Sequence, residues 1–198
     1  MRIVGGSLGG RRIPAPPGSR TRPTAERVRE ALASRLDARG LLAGARVLDL
    51  FAGTGALSFE ALSRGAERAV LVDRDRRVVA ATRQAAEALG LGQRAEVVAH
   101  DLLGRPEALP ARLGGASGGF DLVFADPPYA ELGQVPRLLA ALLDGPLLAP
   151  GATIVLEHAS RDALPAMPET LALDSTSRYG DTAVSLFLRD VEPTRSAP

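Results

Sequence analysis

From residue 45 onward, short uninterrupted apolar runs alternate with longer stretches whose apolar positions recur every three or four residues. The runs "ARVLDLF" (45–51), "RAVLVD" (68–73), "RAEVVAHD" (94–101), "FDLVFAD" (120–126) and "ATIVLEH" (152–158) read as strands. Between them, "GALSFEALSRG", "DRRVVAATRQAAEALG" and "VPRLLAALLDG" read as helices, the first two closed by Gly65 and Gly90. Strands apolar on both faces and separated by amphipathic helices predict a parallel sheet covered on both sides. The C-terminal stretch "ETLALDSTSRYGDTAVSLFL" reads instead as two strands joined at a Tyr-Gly-Asp turn, so an antiparallel hairpin is expected to end the sheet. Upstream, "TAERVREALASRL" reads as a helix capped by Thr24. Val28, Ala31, Leu32 and Leu36 form its apolar stripe, and Gly40 and Gly44 end it. "RIVGG" and "RRI" are candidate short strands, and "PAPPGSRTRP" and "GGASGG" (114–119) are loops.

Composition adds a compartment and a charge asymmetry. The chain has 198 residues, 45% hydrophobic and 24% charged, enough for one domain with a real core. No apolar run approaches the roughly 20 residues of a membrane helix. The N-terminus "MRIVGGSLGG" has no apolar export core. There are no cysteines, which excludes disulfides and thiolate metal sites and suits the cytoplasm. There is no lysine either, which reads as codon bias. The net charge of +1 conceals +6 on residues 1–29 and −5 on the remainder. Residues 1–23 are therefore expected to be a basic arm with a polyanion partner, and residues 24–198 a single domain.

The stretch "VLDLFAGTGALSFEA" carries the first candidate chemistry. A buried strand ends at Asp49, and a tight turn through Phe51, Gly53, Thr54 and Gly55 leads into a helix. A dinucleotide fold would want G-x-G-x-x-G, but Ser58 stands where the third glycine would be. The preceding acid would repel a pyrophosphate and instead suits a ligand with a cationic amino-acid end, such as S-adenosylmethionine. The second strand ends at Asp73-Arg74, where an acid can hold both ribose hydroxyls of an adenosine. The third ends at His100-Asp101-Leu102, where a carboxylate can accept from an adenine amine. Three acids at successive strand ends, in register with a glycine turn, are more than helix caps.

The fourth strand ends in Asp126-Pro127-Pro128-Tyr129. The prolines fix the turn and hold the Asp126 carboxylate and a backbone carbonyl toward one spot. Two acceptors there suit an exocyclic base amine, whose lone pair must be freed from the ring before it can act as a nucleophile. The carboxylate can take the proton released on methyl transfer, and Tyr129 can stack on an unstacked base. His100 and His158 are isolated and lack metal-ligand spacing, and Glu60 and Glu67 read as exposed charges.

D-P-P-Y after such a glycine turn resembles the amino-methyltransferases. With "RIVGGSLGGRRI", "TRPTAERVREAL" and "LDLFAGTGALSFEALSRGA", the chain is similar to the bacterial 16S ribosomal RNA guanine-N2 methyltransferases of the RsmD type, from Arg2 to Tyr179-Gly180. The resemblance implies a Rossmann-like class I S-adenosylmethionine-dependent methyltransferase. Its sheet would have seven strands, mostly parallel, with the C-terminal antiparallel hairpin. It implies S-adenosylmethionine held by the glycine turn and by Asp49, Asp73 and Asp101, and a catalytic Asp126–Tyr129 motif. It also implies a guanine of small-subunit ribosomal RNA, in the subunit or its assembly intermediate, as substrate. Arg2, Arg11, Arg12, Arg22 and Arg27 are the expected RNA contacts. Two departures stand out: Gly9 replaces the first arginine of an R-G-R motif, and Ala33 replaces a helix phenylalanine. Amino-methylation of DNA or of protein glutamine, or an RNA-binding assembly factor without catalysis, are the alternative readings.

Overall fold

The structure, a computed structural model, describes residues 1–14, 23–113 and 119–190, with residues 23–25 in backbone only. Arg22 and all of the 114–119 loop except Gly119 lie outside the described residues. Strands β1 (Arg46–Leu50), β2 (Arg68–Asp73), β3 (Ala95–Ala99), β4 (Phe120–Ala125), β5 (Leu148–Ala159), β6 (Leu171–Tyr179) and β7 (Thr182–Arg189) form one sheet. Its order is β3-β2-β1-β4-β5-β7-β6. Strands β1 to β5 pair in parallel, and β7 runs antiparallel between β5 and β6. Chain order reverses between β1 and β4, which places a topological switch point at their C-terminal ends.

Among the described residues, the α-helices are α1 (Pro23–Ala38), α2 (Ala56–Ser63), α3 (Arg76–Ala88), the short α4 (Leu109–Arg112) and α5 (Val135–Leu143). Apolar side chains of α1, α2 and α3 join one core with Val47, Leu71, Phe124 and Val155. Those of α4 and α5 join a second core with Leu48, Leu50, Val72 and Leu156. The strand residues that supply the two cores alternate, as a sheet buried on both faces requires. Some boundaries move from the sequence reading. Helix α1 starts at Pro23, so Thr24 lies in its first turn. Strand β3 ends at Ala99, before His100 and Asp101, and β5 is twelve residues long. The YGD turn joins β6 to β7 as expected.

Residues 1–14 are packed onto the domain. Arg2 and Arg12 form an isolated antiparallel bridge, and Ile3 and Ile13 are buried in the core of α1, α2 and α3. Glu60, read from sequence as exposed, is 1% exposed. Its carboxylate accepts from the backbone N–H of Val4 at 2.7 Å and of Gly5 at 2.8 Å, and from Arg64 Nε at 2.9 Å. One turn on, Ser63 Oγ accepts from Leu8 N. This contact explains the paired glycines of "RIVGG". Gly6 has φ +73°, and a Cβ there would sit 2.0 Å from the Ser63 carbonyl oxygen. Glu67, by contrast, is exposed as expected.

No helix among the described residues is long and apolar enough to cross a membrane.

Candidate active site

Strand alternation fixes which way the strand-end acids face. Asp49 follows Leu48 and lies on the same side of the sheet as Val47, facing α2. There it is 1% exposed, and Ser58 Oγ donates to its Oδ2 at 2.7 Å. Burial pushes the Asp49 carboxyl up to about 7, with the Ser58 hydrogen bonds opposing the shift and the charges of Asp126 and Asp73 adding to it. Ser58, which breaks the dinucleotide pattern, is thus the partner of this acid. Asp49 is bound to the first turn of α2 through Ser58 and does not line the cleft.

The glycine turn is tied from both sides. Gly53 N donates to Asp73 Oδ2 at 3.0 Å, and Thr82 Oγ1 donates to the Gly53 carbonyl at 2.8 Å. Phe51, which opens the turn, has φ +64° although it carries a side chain. That is a strained conformation worth about 1–3 kcal/mol, of the kind that collects at functional sites. Gly55 has φ +74°, and a Cβ there would meet Leu71 Cδ2 at 2.8 Å and Phe59 Cε2 at 2.9 Å. Gly55 therefore answers to packing against the core, while Gly53 faces open space, with only the Phe51 carbonyl 3.9 Å from where its Cβ would be.

A cleft of about 480 Å³ runs over the strand ends. One half is lined by Phe51, Asp73, Arg74, His100, Asp101, Leu102 and Leu103, and the other by Asp126–Tyr129, Glu131 and Glu157. Of the sequence-derived cofactor residues, Phe51, Asp73, Arg74, Asp101 and Leu102 line it, whereas Asp49, Gly53, Thr54 and Gly55 do not. Asp73 Oδ1 accepts from Asp75 N and Asp101 Oδ1 from Gly104 N, so local turns orient both carboxylates. Each retains lone pairs for ligand hydroxyls or an amine. The volume and this pair of acceptors fit an adenosine-bearing ligand. Arg74 pairs with Glu131 at 3.1 Å and joins the two halves.

In the second half, Pro128 leads into a 3₁₀ turn, Tyr129–Gln134, that leaves Tyr129 46% exposed at the mouth. Water reaches Asp126 through the cleft, yet the surrounding protein still strips hydration from its carboxyl and pushes its pKa up. The sequence reading missed Glu157. It was the penultimate letter of an apolar strand, 31 residues from Asp126, and only the β4–β5 pairing brings it into the cleft. Its pKa is also raised, by burial first and then by the Asp126 charge.

The arginines expected to touch RNA are placed differently from one another. Arg2 and Arg12 are exposed cross-strand neighbours, and Arg2 donates to the Gly10 carbonyl. Arg27 is exposed on α1. The Arg11 guanidinium instead donates to the carbonyls of Ala88 and Leu89, where α3 ends and a cation is favoured. His158 is buried and bonded to Ser185 Oγ within the β5–β7 pairing. Among the described residues, no three His, Cys, Asp or Glu side chains gather as a metal site.

The family described as conserved hypothetical protein 95 matches residues 1–188. Ribosomal RNA small subunit methyltransferase D of Escherichia coli (strain K12) is 33% identical over 192 residues, covering 97% of this chain and 91% of that protein. The protein of the same name from Haemophilus influenzae is 30% identical, covering 94% of this chain and 93% of that one. Among solved structures, yhhF of Escherichia coli matches with a TM-score of 0.78 at 34% identity, covering 97% of this chain and 99% of that one. A hypothetical protein of Thermus thermophilus matches with a TM-score of 0.73 at 33% identity, covering 94% of this chain and 98% of that one. With the seven-stranded sheet, the acid-lined cleft and relatives at about a third identity over nearly all of both chains, this protein belongs to the family of the ribosomal RNA small subunit methyltransferase D enzymes.

Proposed function

We propose that this chain transfers a methyl group from S-adenosylmethionine to the exocyclic N2 amine of a guanine in 16S ribosomal RNA, within the small subunit or its assembly intermediate. The observation that carries this reading is the divided cleft. The D-P-P-Y turn presents an acid and an exposed aromatic at the C-terminal end of β4, while the adjoining half of the cleft presents Asp73 and Asp101. Such a substrate implies that the enzyme acts in the cytoplasm.

When bound, S-adenosylmethionine supplies a methyl group on a positively charged sulfur. Asp73 holds the ribose hydroxyls and Asp101 the adenine amine, while the glycine turn, braced by Thr82, keeps the backbone clear of the ligand. Tyr129 stacks on the flipped base. Asp126 accepts from the target amine, frees its lone pair, and takes the proton as the nitrogen becomes acidic. Positioning of this kind can supply up to roughly 7–11 kcal/mol of barrier reduction. Transfer of a labelled methyl group to purified small subunits, naked ribosomal RNA and DNA, followed by mapping of the modified nucleotide, tests the reading. Labelling of DNA alone, or of an amine other than guanine N2, would overturn it.

Asp73→Ala should weaken S-adenosylmethionine binding tenfold or more, since hydrogen bonds to a charged acceptor are worth about 1.5–3 kcal/mol. RNA affinity should change far less. Calorimetry showing wild-type cofactor affinity would remove Asp73 from the cofactor site.

The RNA surface is assigned to the basic N-terminal region. Arg2 and Arg12 stand opposite each other across a bridge, an arrangement that repels unless an anion lies between them. Arg12 and Arg27 are exposed and make no ion pair among the described residues. If each contacts one phosphate, log affinity against log salt gains a slope of about −0.7 to −0.9 per contact. Arg12→Ala with Arg27→Ala should therefore flatten the slope by roughly 1–2. An unchanged slope and affinity would place the RNA elsewhere. Deleting the segment is a poorer probe, because removing Ile3 and Ile13 opens the core.

A further inference from the structure

Among the described residues, the roles proposed above leave one unpaired acid of the cleft, Glu157, without a task. Ala125 of β4 pairs with Leu156 of β5, so the next residues along the two parallel strands, Asp126 and Glu157, stand side by side. Neighbouring strands lie about 4.8 Å apart. Alternation sends both side chains the same way. Phe124 and Val155, two residues earlier on each strand, both enter the core beneath α1, α2 and α3, whereas Ala125 and Leu156 enter the other. Both acids line the same cleft beside Tyr129. Neither carboxyl makes a hydrogen bond or ion pair among the described residues, so the Asp126–Glu157 pair presents only its own lone pairs to whatever enters. Two adjacent acids repel: loss of hydration holds both toward their protonated forms, and the Asp126 charge adds to the shift of Glu157. Such a pair is unfavourable unless a ligand brings donors to both.

The nucleobases differ in what flanks the exocyclic amine. In adenine and cytosine, the ring nitrogen beside the amine on the Watson–Crick edge is an acceptor. In guanine, N2 is flanked on that edge by N1–H, a donor. An acceptor opposite a carboxylate is repelled, whereas N1–H is satisfied by it and draws it into the ionised form. Building on the guanine-N2 reading above, we infer that Glu157 is the residue that selects guanine, its carboxylate accepting from the base N1–H while Asp126 accepts from the adjacent N2 amine. Asp126 acts on the reacting nitrogen, and Glu157 reads the identity of the ring that carries it.

2-Aminopurine separates these roles, because it keeps the amine at C2 but has a bare acceptor at N1. Small subunits are reconstituted with ribosomal RNA carrying guanine or 2-aminopurine at the modified position, and methyl transfer is followed for wild type, Glu157→Ala and Glu157→Gln. Wild type should prefer guanine by roughly ten- to a hundredfold in kcat/KM, the range of a hydrogen bond to a charged acceptor. Glu157→Ala should lower the guanine rate by that factor and leave the 2-aminopurine rate unchanged or raised, which abolishes the preference. Glu157→Gln keeps an acceptor oxygen in the same volume and should retain part of it, which separates base reading from loss of the fold. If wild type and Glu157→Ala show the same guanine preference, Glu157 does not read N1–H, and the guanine-N2 reading survives. If wild type places no methyl group on guanine N2, both fall.

Discussion

Replacing Asp126 with alanine should lower turnover by about 10²- to 10⁴-fold, the usual contribution of a positioned general base, while cofactor affinity stays within a few-fold of wild type. The two effects separate because the cofactor half of the cleft has its own acids, Asp73 and Asp101, each oriented by a local turn. Asp126 itself follows the end of β4 and is exposed to the cleft, so its loss removes little core. Asp126→Asn should fall between the two, since the amide oxygen still accepts from the target amine but cannot take its proton. The pH profile carries a second signature. Asp126 must be ionised to act, and loss of hydration raises its pKa. The acidic limb of the rate should therefore lie above the ordinary carboxylate range near 4, with activity rising as pH rises through it. Single-turnover methyl transfer within a few-fold of wild type for Asp126→Ala would show that D-P-P-Y does not perform the chemistry.

Glu60→Ala should destabilise the fold by about 3–5 kcal/mol, the range for breaking a buried charge pair by removing one partner. The Glu60 carboxylate holds the backbone N–H groups of Val4 and Gly5 and the Arg64 guanidinium, and alanine would leave all three without that acceptor. For a domain of this size the melting temperature should drop on the order of 10 °C. Residues 1–14 should become the first site of limited proteolysis, because their hold on α2 runs through Glu60 and Ser63. Glu67→Ala is the control. That acid is exposed, so its removal should change stability by no more than about 0.5 kcal/mol. Equal melting temperatures for the two variants would mean that the N-terminal segment is held by its isoleucines alone. If the segment carries RNA contacts, Glu60→Ala should also weaken RNA binding without altering any cleft residue.

What the chain determined by itself is whatever depends on neighbours in sequence. The alternation of continuous apolar strands with amphipathic helices dictated a parallel sheet, because each pattern buries its apolar face in only one way. The YGD turn dictated the closing hairpin. The glycine turn after β1 and the D-P-P-Y turn after β4 are local devices, and their residue types announced a ligand-binding edge before any contact was known. The tertiary structure decided matters that depend on partners far away in the chain. Asp49 and Asp126 are both strand-end acids on the same face of the sheet, but Asp49 pairs with Phe124 inside the sheet and lies against Ser58 of α2, whereas Asp126, two residues beyond Phe124, reaches the cleft. Glu60 and Glu67 are both acids near a helix end, and only a segment more than fifty residues upstream makes one of them buried. Arg11 and Arg12 are adjacent and both exposed, yet only the first is bound to the end of α3. Glu157 looked like the polar end of a strand until the register of β4 on β5 set it beside Asp126. Burial and like-charge repulsion, the two forces that give that pair its character, exist only once the sheet has formed.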